Sequence, residues 1–147
     1  MDSLSAALLE LKKLGARFYT TAGRGGIDFA SAMLGNEGLP RIPEDYIRLL
    51  LLTDGIAGGM VEIYGAKAKS RDADASVPAD LFLGNRAFAE PANPLLSGRI
   101  VLGMTSLDLI VWDEAARAYQ LLENGSFAVL RAFGNVEEML GFIKEYL

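Results

Sequence analysis

The 147-residue chain has no cysteine and no histidine. The first absence removes any disulfide framework, zinc–thiolate site or thiol nucleophile, and it fits a reducing compartment. The second removes the usual general base near neutral pH and the commonest metal ligand. A Ser-His-Asp triad, a Cys-His dyad and any histidine-bearing metal site are therefore excluded. Carboxylates, lysine and tyrosine remain as candidates for proton transfer, and no metal or other cofactor is expected. Basic residues are also in deficit, fourteen against nineteen acids, for a formal charge of −5. That balance works against nucleic acid, which needs a positive footprint on its phosphates. It suits a basic protein partner, because complementary charge speeds encounter, and it equally suits simple solubility.

Long apolar runs are missing too. They reach four residues, as in Leu49 to Leu52, where a membrane span needs about 20, so no membrane association is expected. Met1-Asp2-Ser3-Leu4 opens on an acid instead of the basic start of a secretory signal. The expected location is the cytoplasm. Asn124-Gly125-Ser126 matches a glycosylation sequon, but Asn-Gly is first a hairpin-turn dipeptide.

What is present reads as a single α+β domain over residues 1–147. Leu4, Leu8 and Leu11, with Ala7 and Leu14, recur at helical spacing, with Ser3 as cap and Gly15 as stop. Arg17 to Gly26 reads as a loop; Gly23-Arg24-Gly25-Gly26 lacks the spacing and the Lys-Ser/Thr of a phosphate-binding loop. A short helix covers Asp28 to Leu34, with Gly35 as its stop. Pro43 then opens a helix that runs to about Thr53 with Glu44 and Asp45 at its positive end. Met60 to Tyr64 alternates as a strand, Gly65 to Pro78 is a polar surface loop, and Pro78 to Glu90 includes a helix. Strands follow at Arg99–Met104, Leu107–Asp113 and Ala118–Glu123, with Asn124-Gly125 closing a tight hairpin onto Ser126–Phe133. A final helix starts at Val136, capped by Asn135 with Glu138 three residues on, and carries Met139, Phe142, Ile143 and Tyr146 inward. The expectation is a mainly antiparallel sheet of about five strands, packed against helices on one face, with the C-terminal helix closing the core.

Leu39-Pro40-Arg41-Ile42-Pro43-Glu44-Asp45-Tyr46, leading through a leucine-rich helix to Thr53-Asp54-Gly55, resembles the Leu-Pro-x-Asp-Tyr…Asn-Gly signature of the SUKH superfamily. Val61-Glu62-Ile63-Tyr64-Gly65 and Ile100-Val101-Leu102-Gly103…Leu109-Ile110-Val111-Trp112-Asp113 are similar to its strands, and the YrhA-like branch is the nearest. The likeness covers Ile27 to the end and leaves residues 1–26 outside. Asp54 stands where the superfamily usually has asparagine, a change an Asx-type turn accepts. The segment Ile56-Ala57-Gly58-Gly59 also lacks the polar or aromatic residues often found there. The resemblance implies an α+β fold and, for many bacterial members, an immunity protein that neutralises a toxin; other members are regulatory binding modules. It supplies no catalytic residues.

Within the chain, Asp113-Glu114 are strand neighbours that point to opposite faces, and Asp72 and Asp74 sit among cations in a polar loop, so neither pair makes an acid–base couple. Strand parity is more productive. If Leu107, Leu109, Val111 and Asp113 face the helices, Asp108 and Trp112 lie on the outer sheet face, and Glu62 and Tyr64 lie outside beside Met60. These four residues (Glu62, Tyr64, Asp108, Trp112) are the candidate partner-binding set, an aromatic group among acids of the kind that anchors interfaces. Reversed parity makes Trp112 a core residue instead. The leading expectation is a non-catalytic domain that binds a protein, an immunity-type inhibitor with a basic toxin domain as a compatible partner. The alternatives are a small ligand-binding protein or carboxylate-based enzyme, recognised by a deep pocket in which two acids converge, and a regulatory scaffold unrelated to toxins.

Overall fold

The computed structural model of the protein describes residues 2–67, 79–89 and 93–147. Most of the polar segment Gly65 to Pro78, with Asp72 and Asp74, falls outside them. Seven strands form one antiparallel meander in chain order: β1 (Arg17–Phe18), β2 (Ile56–Gly58), β3 (Val61–Ile63), β4 (Arg99–Thr105), β5 (Asp108–Asp113), β6 (Ala118–Glu123) and β7 (Val129–Phe133). Among the described residues five α-helices accompany them: α1 (Ser3–Lys13), α2 (Gly23–Asn36), α3 (Glu44–Leu52), α4 (Leu81–Ala89) and α5 (Val136–Ile143). The sheet is thus two strands wider than the sequence pattern predicts, because β1 and β2 are too short to show alternation. Among the described residues no helix is long and apolar enough to cross a membrane.

Local chemistry sets the helix ends. Asp2, not Ser3, caps α1 through its carboxylate on the Ser5 amide. α2 runs past both of its expected limits. Gly38, at φ +75°, ends it by donating to Gly35 while Leu39 donates to Leu34, the paired bonds of a Schellman stop. In α5 the capping pattern is present as expected: Asn135 accepts from the Glu138 amide at 2.9 Å, and the Glu138 carboxylate accepts from the Gly134 amide at 2.8 Å. The β6–β7 connection is longer than a two-residue turn. The Phe127 amide, in a residue with positive φ, donates to the Glu123 carbonyl, and the Glu123 amide to that of Ala128.

Helices cover both faces of the sheet. On one face the Tyr119 hydroxyl reaches the Asp45 carboxylate at the start of α3, and Phe133 packs on Phe142 of α5 at 5.3 Å. On the other, the Tyr64 ring lies against Gly84 of α4. Leu109, Ile110 and Val111 in β5 are consequently all fully buried, whichever way they point. The core joins these layers to the inner sides of α1 (Leu4, Leu8, Leu11), α2 (Ile27, Ala30, Leu34) and α3 (Tyr46, Leu49, Leu50).

The Pro-Glu-Asp-Tyr and Asp-Gly segments are the bolts of this arrangement. The Tyr46 hydroxyl donates to the Tyr64 carbonyl at 2.6 Å, and burial, then nearby Asp54, keep that phenol protonated well above the ordinary tyrosine range. Asp45 accepts from the Val136 amide at 2.8 Å as well as from Tyr119, so one carboxylate on α3 ties down both β6 and the start of α5. Asp54 is fully buried and accepts from the amides of Ala66 and Lys67 at 2.7 and 3.1 Å. Gly55 has φ +88°, and a Cβ there would meet the Ile63 carbonyl at 2.5 Å. At the carboxyl end, the Met60 amide donates to the Tyr146 carbonyl at 2.9 Å, and Leu147 lies against Gly58 and Gly59, which have no room for a Cβ.

Candidate partner-binding surface

The four candidate residues do not form one patch. The ladder from β3 through β5 is unbroken from Glu62↔Met104 to Met104↔Leu109, which puts Glu62 on the face of Leu109. Asp108 and Trp112 alternate onto the opposite face, with Ile110. That opposite face is the one α3 and α5 cover, so the parity assumed from sequence is reversed for Trp112.

Two of the four are buried. Trp112 is 6% exposed; it meets Tyr119 edge to face at 5.0 Å, and its indole N–H donates to Glu114 at 2.8 Å. The Arg117 guanidinium lies 5.4 Å from the Trp112 ring and also pairs with Glu114, at 2.7 Å. Tyr64 is 2% exposed, and burial, then the Glu62 charge, raise its hydroxyl far above the ordinary range. Neither ring is offered to a partner. The physical reason is the second helical layer: with α4 on one side and α3 and α5 on the other, neither face of β3–β5 is an outer one.

Glu62 and Asp108 remain partly accessible, and the register places both near one end of the sheet. Val61 pairs with Thr105 and Asp108 with Glu123, so the β2–β3, β4–β5 and β6–β7 turns all emerge at that end. The first two turns carry apolar side chains in solvent: Met60 is 60% exposed and Leu107 is 75% exposed. Strand spacing sets these two turns about 10 Å apart. Phe127 in the third turn is partly buried against the core. Tyr146 lies under the first turn, its hydroxyl pKa raised by burial, then by Asp108 and Glu145. Glu123 accepts from Ser126 at 2.7 Å beside them. The Glu62 carboxyl is raised by desolvation, against the Ala79 amide, which lowers it. The result is three loops on a rigid sheet presenting two apolar side chains among carboxylates. Loops held on a rigid scaffold are where binding residues gather.

Met60 and Leu107 were not in the expected set. Strand parity turns Leu107 inward and makes Met60 only a neighbour of Glu62. The available signal was position: each is a large apolar residue at a turn, beside Gly59 or Ser106, where a polar residue would cost nothing.

Two of the hollows among the described residues are large enough for a small molecule. One of about 530 Å³ is lined by Glu37, Leu39, Asn85, Phe88, Leu96 and Arg99, among others. Another of about 320 Å³ holds Asp28 and Glu44 together with Arg24 and Arg41. Among the described residues no three acids gather as a metal site would require. No protein-family model matches the chain, and no curated protein matches its sequence.

Proposed function

We propose that this chain is a non-catalytic protein-binding domain of the SUKH type, an immunity protein that holds a toxin inactive by direct contact in the cytoplasm. The observation that carries the reading is the turn end of the sheet, where Met60 and Leu107 stand in solvent at 60% and 75% exposure. Large apolar side chains on ordered turns, beside acids and away from a cavity, suit a macromolecular surface better than a metabolite. The motif that resembles the SUKH signature supports the same reading through the fold, since its Asp45, Tyr46, Asp54 and Gly55 lock the elements that present those turns. The net charge of −5 favours a basic partner.

The test is co-production with the toxin domain encoded beside the chain's own gene. Rescue of growth and a stable complex that Leu107→Glu disrupts are the expected results. Failure to bind any neighbouring toxin removes the immunity role, and a complex indifferent to both Met60→Glu and Leu107→Glu removes the surface.

A further inference from the structure

The larger hollow lies away from the three turns, where the α2–α3 connection, the last turn of α4, the 3-10 helix Pro94–Leu96 and the start of β4 meet. Its volume, about 530 Å³, falls in the range of small-molecule sites, roughly 300–1,000 Å³. Leu39, Phe88, Pro94, Leu96 and Val101 give it apolar walls.

Its polar groups are mostly spent. The Asn85 amide donates to Leu81 and Val101 carbonyls and accepts from the Val101 amide, all at 2.7–2.8 Å. Arg99 is committed to Asp113 at 3.0 Å and to the Leu95 carbonyl at 2.8 Å. Asn93 accepts from the Leu95 amide. The Glu37 carboxylate is exposed and makes no ion pair among the described residues. Arg86, which shares a smaller adjoining hollow with Glu37, lies over the Phe82 ring, 5.8 Å from its centre. One further feature adds negative potential. Glu37 follows directly on the C-terminus of α2, with Gly38 and Leu39 lining the hollow, so the negative end of that helix lies beside it; the Arg86 charge in the last turn of α4 offsets the end of the other.

We infer that this hollow is a binding site for a small organic cation: an ammonium group at Glu37, carried on an apolar body that lies against Leu39, Phe88 and Leu96. The hollow and the turn end of the sheet share no residue, so either site stands without the other.

The test uses the intact protein, amide-resolved NMR titration, and three probes with one body: 4-phenylbutylamine, 4-phenylbutanol and 4-phenylbutyrate. The amine is expected to shift the Gly38 and Gly98 amides and the Asn85 side chain, and to bind at least tenfold more tightly than the carboxylate. Glu37→Gln brings the amine to within twofold of the alcohol while leaving the alcohol unchanged, and Glu37→Lys inverts the order of amine and carboxylate. Equal binding of amine and carboxylate, shifts confined to other residues, or no shift at millimolar amine overturns the assignment.

Discussion

The junction around Thr53-Asp54-Gly55 lies five residues before Met60, which the fold sets beside Leu107 at the turn end of the sheet, and the two regions behave in opposite ways. At the junction every polar atom named above has a partner, and no side chain is exposed. The Thr53 hydroxyl donates to the Gly55 carbonyl and accepts from the Tyr19 amide, which fastens β1 to the sheet. At the turn end the side chains are unremarkable in type and free in solvent. The residues that carry the resemblance to the SUKH signature are therefore those that hold the chain's shape, whereas the proposed partner-facing side chains carry no signature at all. A family likeness built on the first group speaks for the fold and leaves the partner to be read from the second.

That contrast can be broken by mutation. The largest loss is expected for Gly55→Ala, which adds a Cβ against the Ile63 carbonyl at a left-handed position; about 3–4 kcal/mol of stability should go, read by urea unfolding. Asp54→Ala comes next. It strands the buried amide of Ala66 at about 1–3 kcal/mol and frees the more accessible Lys67 amide to water, with Asp54→Asn recovering much of the loss. Met60→Glu with Leu107→Glu should move stability by no more than about 0.5 kcal/mol, as surface changes do, yet weaken partner binding by tenfold or more in a titration calorimeter. Should the double variant unfold the protein, the contrast fails.

The smallest effect concerns pH. Desolvation raises the Glu62 carboxyl above its ordinary value, so in the folded protein its charge is held at a cost. That cost is absent below the unfolded value, about 4.3, appears as the pH rises through it, and is complete above the folded value. Glu62→Gln should therefore raise the melting temperature at pH 7 and leave it unchanged below pH 4. Solvent at this half-buried site keeps the gain under about 1 kcal/mol. A variant less stable at pH 7 would mean that the carboxylate's bond to the Ala79 amide outweighs its burial.

Most of the fold was legible where an element was long and one-sided. The stripes of α1 and α5, the Pro43 start of α3 and the cap at Asn135 stand where the pattern puts them. β1 and β2, at two and three residues, exist through pairing with their neighbours and leave no periodic trace. α2 begins at Gly23 through three glycines that propensity assigns to a loop; packing of Ile27, Ala30 and Leu34 outweighs that cost. The candidate site was half legible for a single reason. Leu109-Ile110-Val111-Trp112 is buried on both sides, so its residues are apolar without alternation, and nothing in the run tells inside from outside. Glu62 and Asp108 lie partly accessible near the turn end of the sheet, whereas Tyr64 and Trp112 belong to its interior.

The seating of the carboxyl end has a practical side. Tyr146 and Leu147 rest on the β2–β3 turn, with the Tyr146 carbonyl bonded to Met60 itself. An affinity handle, reporter or chip linkage attached after Leu147 would emerge beside Met60 and shade the apolar pair from any incoming molecule. Binding assays on this protein should be anchored elsewhere, because silence from a carboxyl-tagged sample would report the handle instead of the surface.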